Sequence, residues 1–164
     1  MMRWGWLAMK SARIGMLLLL GLFVWIGGGN TALQAAPSNP YAVAGIENAA
    51  EFEKVFAALQ KVVSVNDRSK VADLVLYPLR VNGWTDDAKG KGSVQFETKA
   101  ELLDNYDEIF TLQVREAIVG QKVAELFVNW QGVMVGTGEV WLSASDKKPG
   151  RYGISAVNLV NLPQ

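Results

Sequence analysis

The stretch LFVNWQGVMVGTGEVWL, residues 126–142, carries the change from helical to strand periodicity. Val123 to Asn129 reads as a strand, Trp130-Gln131-Gly132 as a tight connection, and Val133 to Leu142 as a long second strand. On an alternating strand Val133, Val135, Thr137, Glu139 and Trp141 would share one face, and Met134, Val140 and Leu142 the other. Gly136 and Gly138 weaken a flat strand and fit a sheet that bends sharply there, or one approached closely by another backbone or a ligand. Downstream, SDKKPG (145–150) is a turn and Arg151 to Leu159 a last antiparallel strand.

Upstream of that stretch, the pattern is helical. Thr98-Lys99-Ala100-Glu101 matches a capping box, and Leu102, Leu103, Tyr106, Ile109, Phe110, Val114, Ala117 and Ile118 recur on one face. This spacing predicts one long helix, with Gly120 as its C-terminal cap. Ser93 to Glu97 alternates as a short strand, and residues 84–92 read as a polar loop. Tyr77 to Val81 reads as a strand ended by an Asn82-Gly83 turn. Asn48-Ala49-Ala50-Glu51 opens an amphipathic helix carrying Phe52, Val55, Phe56, Leu59, Val62 and Val63, and a short helix follows from Arg68 to Val75. The fold class is therefore α+β, with N-terminal helices and one long helix packed on a strongly curved, cone-like antiparallel sheet.

Composition removes whole classes of chemistry. The 164 residues include no His and no Cys. A disulfide, a thiol nucleophile, a Ser-His-Asp triad and imidazole ligation of a metal are all excluded. No phosphate-cradling Gly-rich loop occurs, and Asp86-Asp87 lacks the spaced acidic pattern of a calcium loop. No cofactor and no metal is implied.

Charge is unevenly placed. Arg3, Lys10 and Arg13 are the only charged residues among the first 35, and they precede the apolar run IGMLLLLGLFVWI (14–26). Gly27-Gly28-Gly29 and a small-residue end at Ala35-Ala36 follow, which is the pattern of a secretory signal peptide. The expected cut follows Ala35 or Ala36, giving a periplasmic or secreted chain. The membrane would be touched only if the segment stayed uncleaved, and the run is shorter than the roughly 20 residues that a spanning helix needs. Residues 36–45 then form a flexible lead-in, and 46–164 a single domain. The remaining chain has 13 basic against 16 acidic residues. That balance does not suit nucleic-acid binding, which draws on clustered Lys and Arg.

Three stretches carry a resemblance: FEKVFAALQKVVSVNDRSKVADLV (52–75), YPLRVNG (77–83) and AELFVNWQGVMVGTGEVWLS (124–143). Over about residues 46–160 the chain resembles the nuclear transport factor 2-like (SnoaL-like) superfold, and its hairpin is similar to that of small exported bacterial members. The resemblance implies a cone with a pocket between the long helix and the concave sheet. It also implies a homodimer through the open sheet face. Some members are isomerases, dehydratases or cyclases, whereas others only bind small molecules or act as adaptors. The missing His removes the dehydratase-type His/Asp pair and leaves a Tyr-and-carboxylate arrangement.

Read from their own positions on strand and helix, the candidate catalytic residues, if the chain is an enzyme, are Glu139 and Tyr106. A carboxyl held beside Trp141 would have a raised pKa suited to acid/base work. The structural alternatives are a solvent-facing Glu139, or one paired with Arg151, and a Tyr106 packed in the core. Tyr77, Trp84, Trp130 and Trp141 are the candidate ligand-binding residues, since flat aromatic rims hold small molecules, although the same side chains also pack cores and interfaces. The leading expectation is an exported non-enzymatic binding module that holds a small apolar ligand or a periplasmic protein in the cone or on the sheet face. The alternatives are an isomerase- or hydrolase-type enzyme using the Glu/Tyr pair, and a periplasmic inhibitor or immunity-type protein.

Overall fold

A computed structural model describes residues 38–86 and 90–159. The signal segment expected over 1–35 lies outside them, as does the stretch 87–89 of the expected polar loop. Where a flexible lead-in over 36–45 is expected, the chain is folded from Ser38 on. The Asn39 amide donates to the carbonyls of Ile46 (2.6 Å) and Glu47 (3.0 Å), Tyr41 is buried against Phe52, and a single 3-10 turn spans Ala42–Ala44. Tyr41, packed on the ring of Phe52, anchors this segment to the apolar stripe of the helix that follows.

Helix α1 (Ala49–Ser64) begins where Asn48 Oδ1 accepts the Glu51 N–H at 3.0 Å. Phe52, Phe56, Leu59 and Val63 form its buried stripe. Asn66, at φ 52°, turns the chain, and Asp67 caps α2 (Arg68–Asp73). Strand β1 (Val75–Asp86) follows without a loop and contains Pro78 after a cis peptide bond. The expected Asn82-Gly83 turn is not formed. Asn82 is held on both sides, by Ser93 in β2 (Gly90–Phe96) and by Asn158 in β6 (Tyr152–Asn158), and Gly83 (φ 76°) is the extra residue of a bulge. An Asn-Gly pair signals a hairpin only when the chain reverses there. Pairing on both flanks keeps this one straight.

The single long helix is three short ones: α3 (Lys99–Asp104), α4 (Tyr106–Ile109) and α5 (Leu112–Gly120). Thr98 Oγ1 caps α3 by accepting the Glu101 N–H, while the Glu101 carboxylate accepts the Glu97 N–H. Asn105 leaves helical geometry (φ −115°, ψ 19°) and spends its amide on the Glu101 carbonyl at 2.8 Å. Thr111, extended at ψ 167°, caps α5 through its hydroxyl. Two residues that bond their own backbone thus break the helix, although the apolar face stays as expected. Gly120 does not provide the cap. The Gln60 amide in α1 does so instead, donating to the carbonyls of Ile118 (2.9 Å) and Gln121 (2.8 Å).

The remaining strands are β3 (Phe127–Asn129), preceded by a 3-10 turn at Val123–Glu125, β4 (Gly132–Val135) and β5 (Val140–Ala144). The long strand 133–142 is therefore two strands. Gly136 (φ 68°) and Gly138 (φ 120°) do not bend it; they turn it back on itself, so that Val135 pairs with Val140. The four-residue turn reverses the alternation: Val133, Val135, Val140 and Leu142 all face the core, and Trp141 faces away.

The sheet has the order β2-β1-β6-β5-β4-β3. It is mixed, not antiparallel, because β6 returns parallel to β1. It is not strongly curled, where a strongly curved, cone-like sheet is expected. One row across the sheet is Val94, Val81, Val157, Val140 and Val135 on five neighbouring strands, and it faces the helices. Phe52, Phe56, Tyr106, Phe110 and Ile118 fill the space between helices and sheet.

Candidate binding surface on the open sheet face

Glu139 lies in the β4–β5 turn. Its carboxylate accepts the Thr137 N–H at 2.6 Å, the Thr137 hydroxyl at 3.0 Å and the Gln113 amide of α5 at 3.3 Å. Partial burial is the largest single influence and pushes its pKa up. The hydrogen bonds from its own backbone, from Thr137 and from Gln113 together outweigh it, so the net direction is below the ordinary 4.5. The expected raised pKa is thus reversed. Arg151 is not its partner, since that guanidinium donates to the carbonyls of Asp73 and Val75.

A depressed folded-state pKa means that Glu139 contributes stability above its unfolded pKa, and that this is lost as pH falls through the folded value. Glu139→Gln is expected to lower stability at pH 7 and to flatten the acid limb below about pH 4.5. Chemical denaturation of both proteins between pH 7 and pH 3 checks this; parallel pH profiles would refute it.

Tyr106 is 1% exposed. Its ring stacks on Phe110 at 4.9 Å and lies under the Arg68 guanidinium at 5.2 Å. Burial pushes its pKa up against the opposing Arg115 and Arg68, and its buried hydroxyl has no hydrogen-bond partner among the described residues. Among the described residues no hydrogen bond joins it to Glu139, whose carboxylate is engaged by Thr137 and Gln113.

The four aromatic candidates divide between the two faces. Tyr77 packs at the core edge and donates to the Ala72 carbonyl at 3.0 Å; burial, helped by Asp73 and opposed by Arg151, pushes its pKa up to about 12. Trp84 turns inward, edge-on to Phe96 at 5.2 Å. Trp141 and Trp130 do not join them. Trp141 is half-buried on the face that the helices leave open, and Trp130, 79% exposed, occupies the two-residue turn between β3 and β4.

The open face has its own row: Gln95, Arg80, Ala156, Trp141, Met134 and Phe127 across all six strands. A depression of about 200 Å³ lies on it, lined by Trp141, Arg80, Asn82, Asn158, Ser155 and Gln131. Gln131 also lines a larger depression of about 500 Å³ at the sheet's end, with Trp130, Ser143, Glu47 and Asp146. The amides are held in place. Asn82 donates to Asn158 Oδ1 at 2.6 Å, and the Asn158 amide donates to the Gly138 carbonyl. Sequence reasoning missed Arg80, Asn82, Gln131 and Asn158. Arg80-Val81-Asn82 does alternate, but the β1–β6 neighbourhood that unites Asn82 with Asn158 has no local signal.

A second groove of about 500 Å³ lies between α1 and α5, lined by Val63, Leu112, Val119 and Arg115. Among the described residues no cluster of three acidic or other ligating side chains could hold a metal, and no helix is long and apolar enough to cross a membrane. Comparison with protein-family models, with curated proteins and with solved structures finds no match for this chain.

Proposed function

We propose that the chain is an exported, non-enzymatic binding module whose working surface is the open face of its sheet. The observation that carries this is the division of aromatic side chains. The interior is filled by Phe52, Phe56 and Phe110, fully buried, while the half-buried Trp141 stands on the uncovered side and the exposed Trp130 sits in the turn at the sheet's end. A filled interior leaves no room for an apolar ligand between helix and sheet. An exposed large aromatic beside fixed amides is what a recognition surface contains. The nuclear transport factor 2-like resemblance supports the same reading, since a homodimer through the open sheet face is one way to cover it. Export rests on the basic-apolar-small pattern of residues 1–35, which gives Ala36 or Pro37 as the first mature residue.

A photo-crosslinking residue placed at position 130, and separately at position 119 in the α1–α5 groove, tests the surface in the producing cell. Adducts are expected from position 130 and not from 119. Adducts from 119 alone, or from neither, would overturn the assignment.

A further inference from the structure

The chemistry of the open face is more specific than a generic docking surface. A sugar ring has an apolar C–H face and a rim of hydroxyls that both donate and accept. The first matches a flat indole; the second matches planar amides, which offer a donor and an acceptor side by side. Both are present here. Trp141 lies beside Gly132, where a Cβ would sit 3.7 Å from the indole, an ordinary packing distance. Around it stand Asn82, Asn158 and Gln131, with Ser155 and Arg80. The Asn82–Asn158–Gly138 chain of hydrogen bonds fixes two of the amides. Groups held before the ligand arrives lose little freedom on binding.

Size and charge point the same way. The depression beside Trp141 holds about 200 Å³. It adjoins a depression of about 500 Å³ beside Trp130, with Gln131 lining both, so the two together extend beyond a single ring. The walls carry one cation, Arg80, and two carboxylates, Glu47 and Asp146. Mixed sign does not suit a polyanion, and a floor of amides and hydroxyls does not suit an amphiphile.

We infer that the open face around Trp141 binds a neutral oligosaccharide, with one ring stacked on Trp141 and a further ring reaching Trp130 in the adjoining depression. The inference rests on the open face being the working surface. Tryptophan fluorescence and calorimetry of the mature chain, with cellotriose, chitotriose and maltotriose each up to about 10 mM, test it. At least one is expected to bind. Trp141→Ala is expected to weaken it about tenfold or more, and Trp130→Ala several-fold. Trp130 packs against little, so its variant keeps the wild-type melting curve even if Trp141→Ala proves unstable.

No binding by any of the three sugars, or binding that Trp130→Ala leaves unchanged, would overturn the inference. A dimer that Trp130→Ala or Trp141→Ala dissolves, with no sugar bound, would place a second copy on the face; that defeats the saccharide while the binding surface stands. Failure of crosslinking at position 130 as well would remove both.

Discussion

Gly132→Ala is expected to destabilise the domain by about 2–4 kcal/mol and to lower its melting temperature by roughly 10 °C or more. Gly132 sits at φ 141°, a backbone conformation that L side chains rarely adopt. A Cβ there would also run into the Leu142 carbonyl oxygen on the neighbouring strand. That atom is backbone, so it cannot swing aside. Either β5 shifts or β4 rotates out of its ladder, and both disturb the pairing of Val133 with Leu142. Gly120→Ala is the control, because nothing lies within 4 Å of the added carbon and the backbone is helical. That variant is expected to be neutral or to gain up to about 1 kcal/mol. Thermal and urea denaturation of the two variants decide the matter. Equal stability would mean that β4 and β5 do not approach as closely as described.

Phe56→Ala is expected to cost about 3–5 kcal/mol, against the 5–15 kcal/mol that typically holds a domain together. Phe56 is fully buried on α1, in the layer between helices and sheet. Its removal leaves a cavity that the surrounding Leu59, Val63 and sheet valines cannot close without leaving their rotamers. Trp130→Ala removes a larger side chain and is expected to change stability by less than about 0.5 kcal/mol, since Trp130 is solvent-exposed. The contrast separates the two sides of the sheet. A cost below about 1 kcal/mol for Phe56→Ala would reopen an interior pocket as the place where a ligand sits.

Glu139 shows where local reading of the sequence ends. As a strand residue beside Trp141 it is a candidate acid. As the clasp of a turn that bonds Thr137 and Gln113 it is a structural carboxylate with a lowered pKa. The difference comes from one ambiguity: two glycines inside an apolar run are compatible with a bent strand or with a hairpin. Only the pairing of Val135 with Val140 resolves it. The same holds for Asn82-Gly83, a turn by its residues and a bulge by its neighbours.

The sequence by itself determined the α+β class, the caps at Asn48 and Thr98, the buried stripe of α1 and a tight connection at Trp130-Gln131, because each depends on residues within a turn or two of one another. Tertiary structure decided the rest. It set β6 parallel to β1, joined Asn82 to Asn158 across 76 positions, filled the interior with phenylalanines and left Trp141 facing outward. The physical reason is that strand pairing is a contest between distant segments, won by the register that buries the most valine surface. No local pattern records which segment wins.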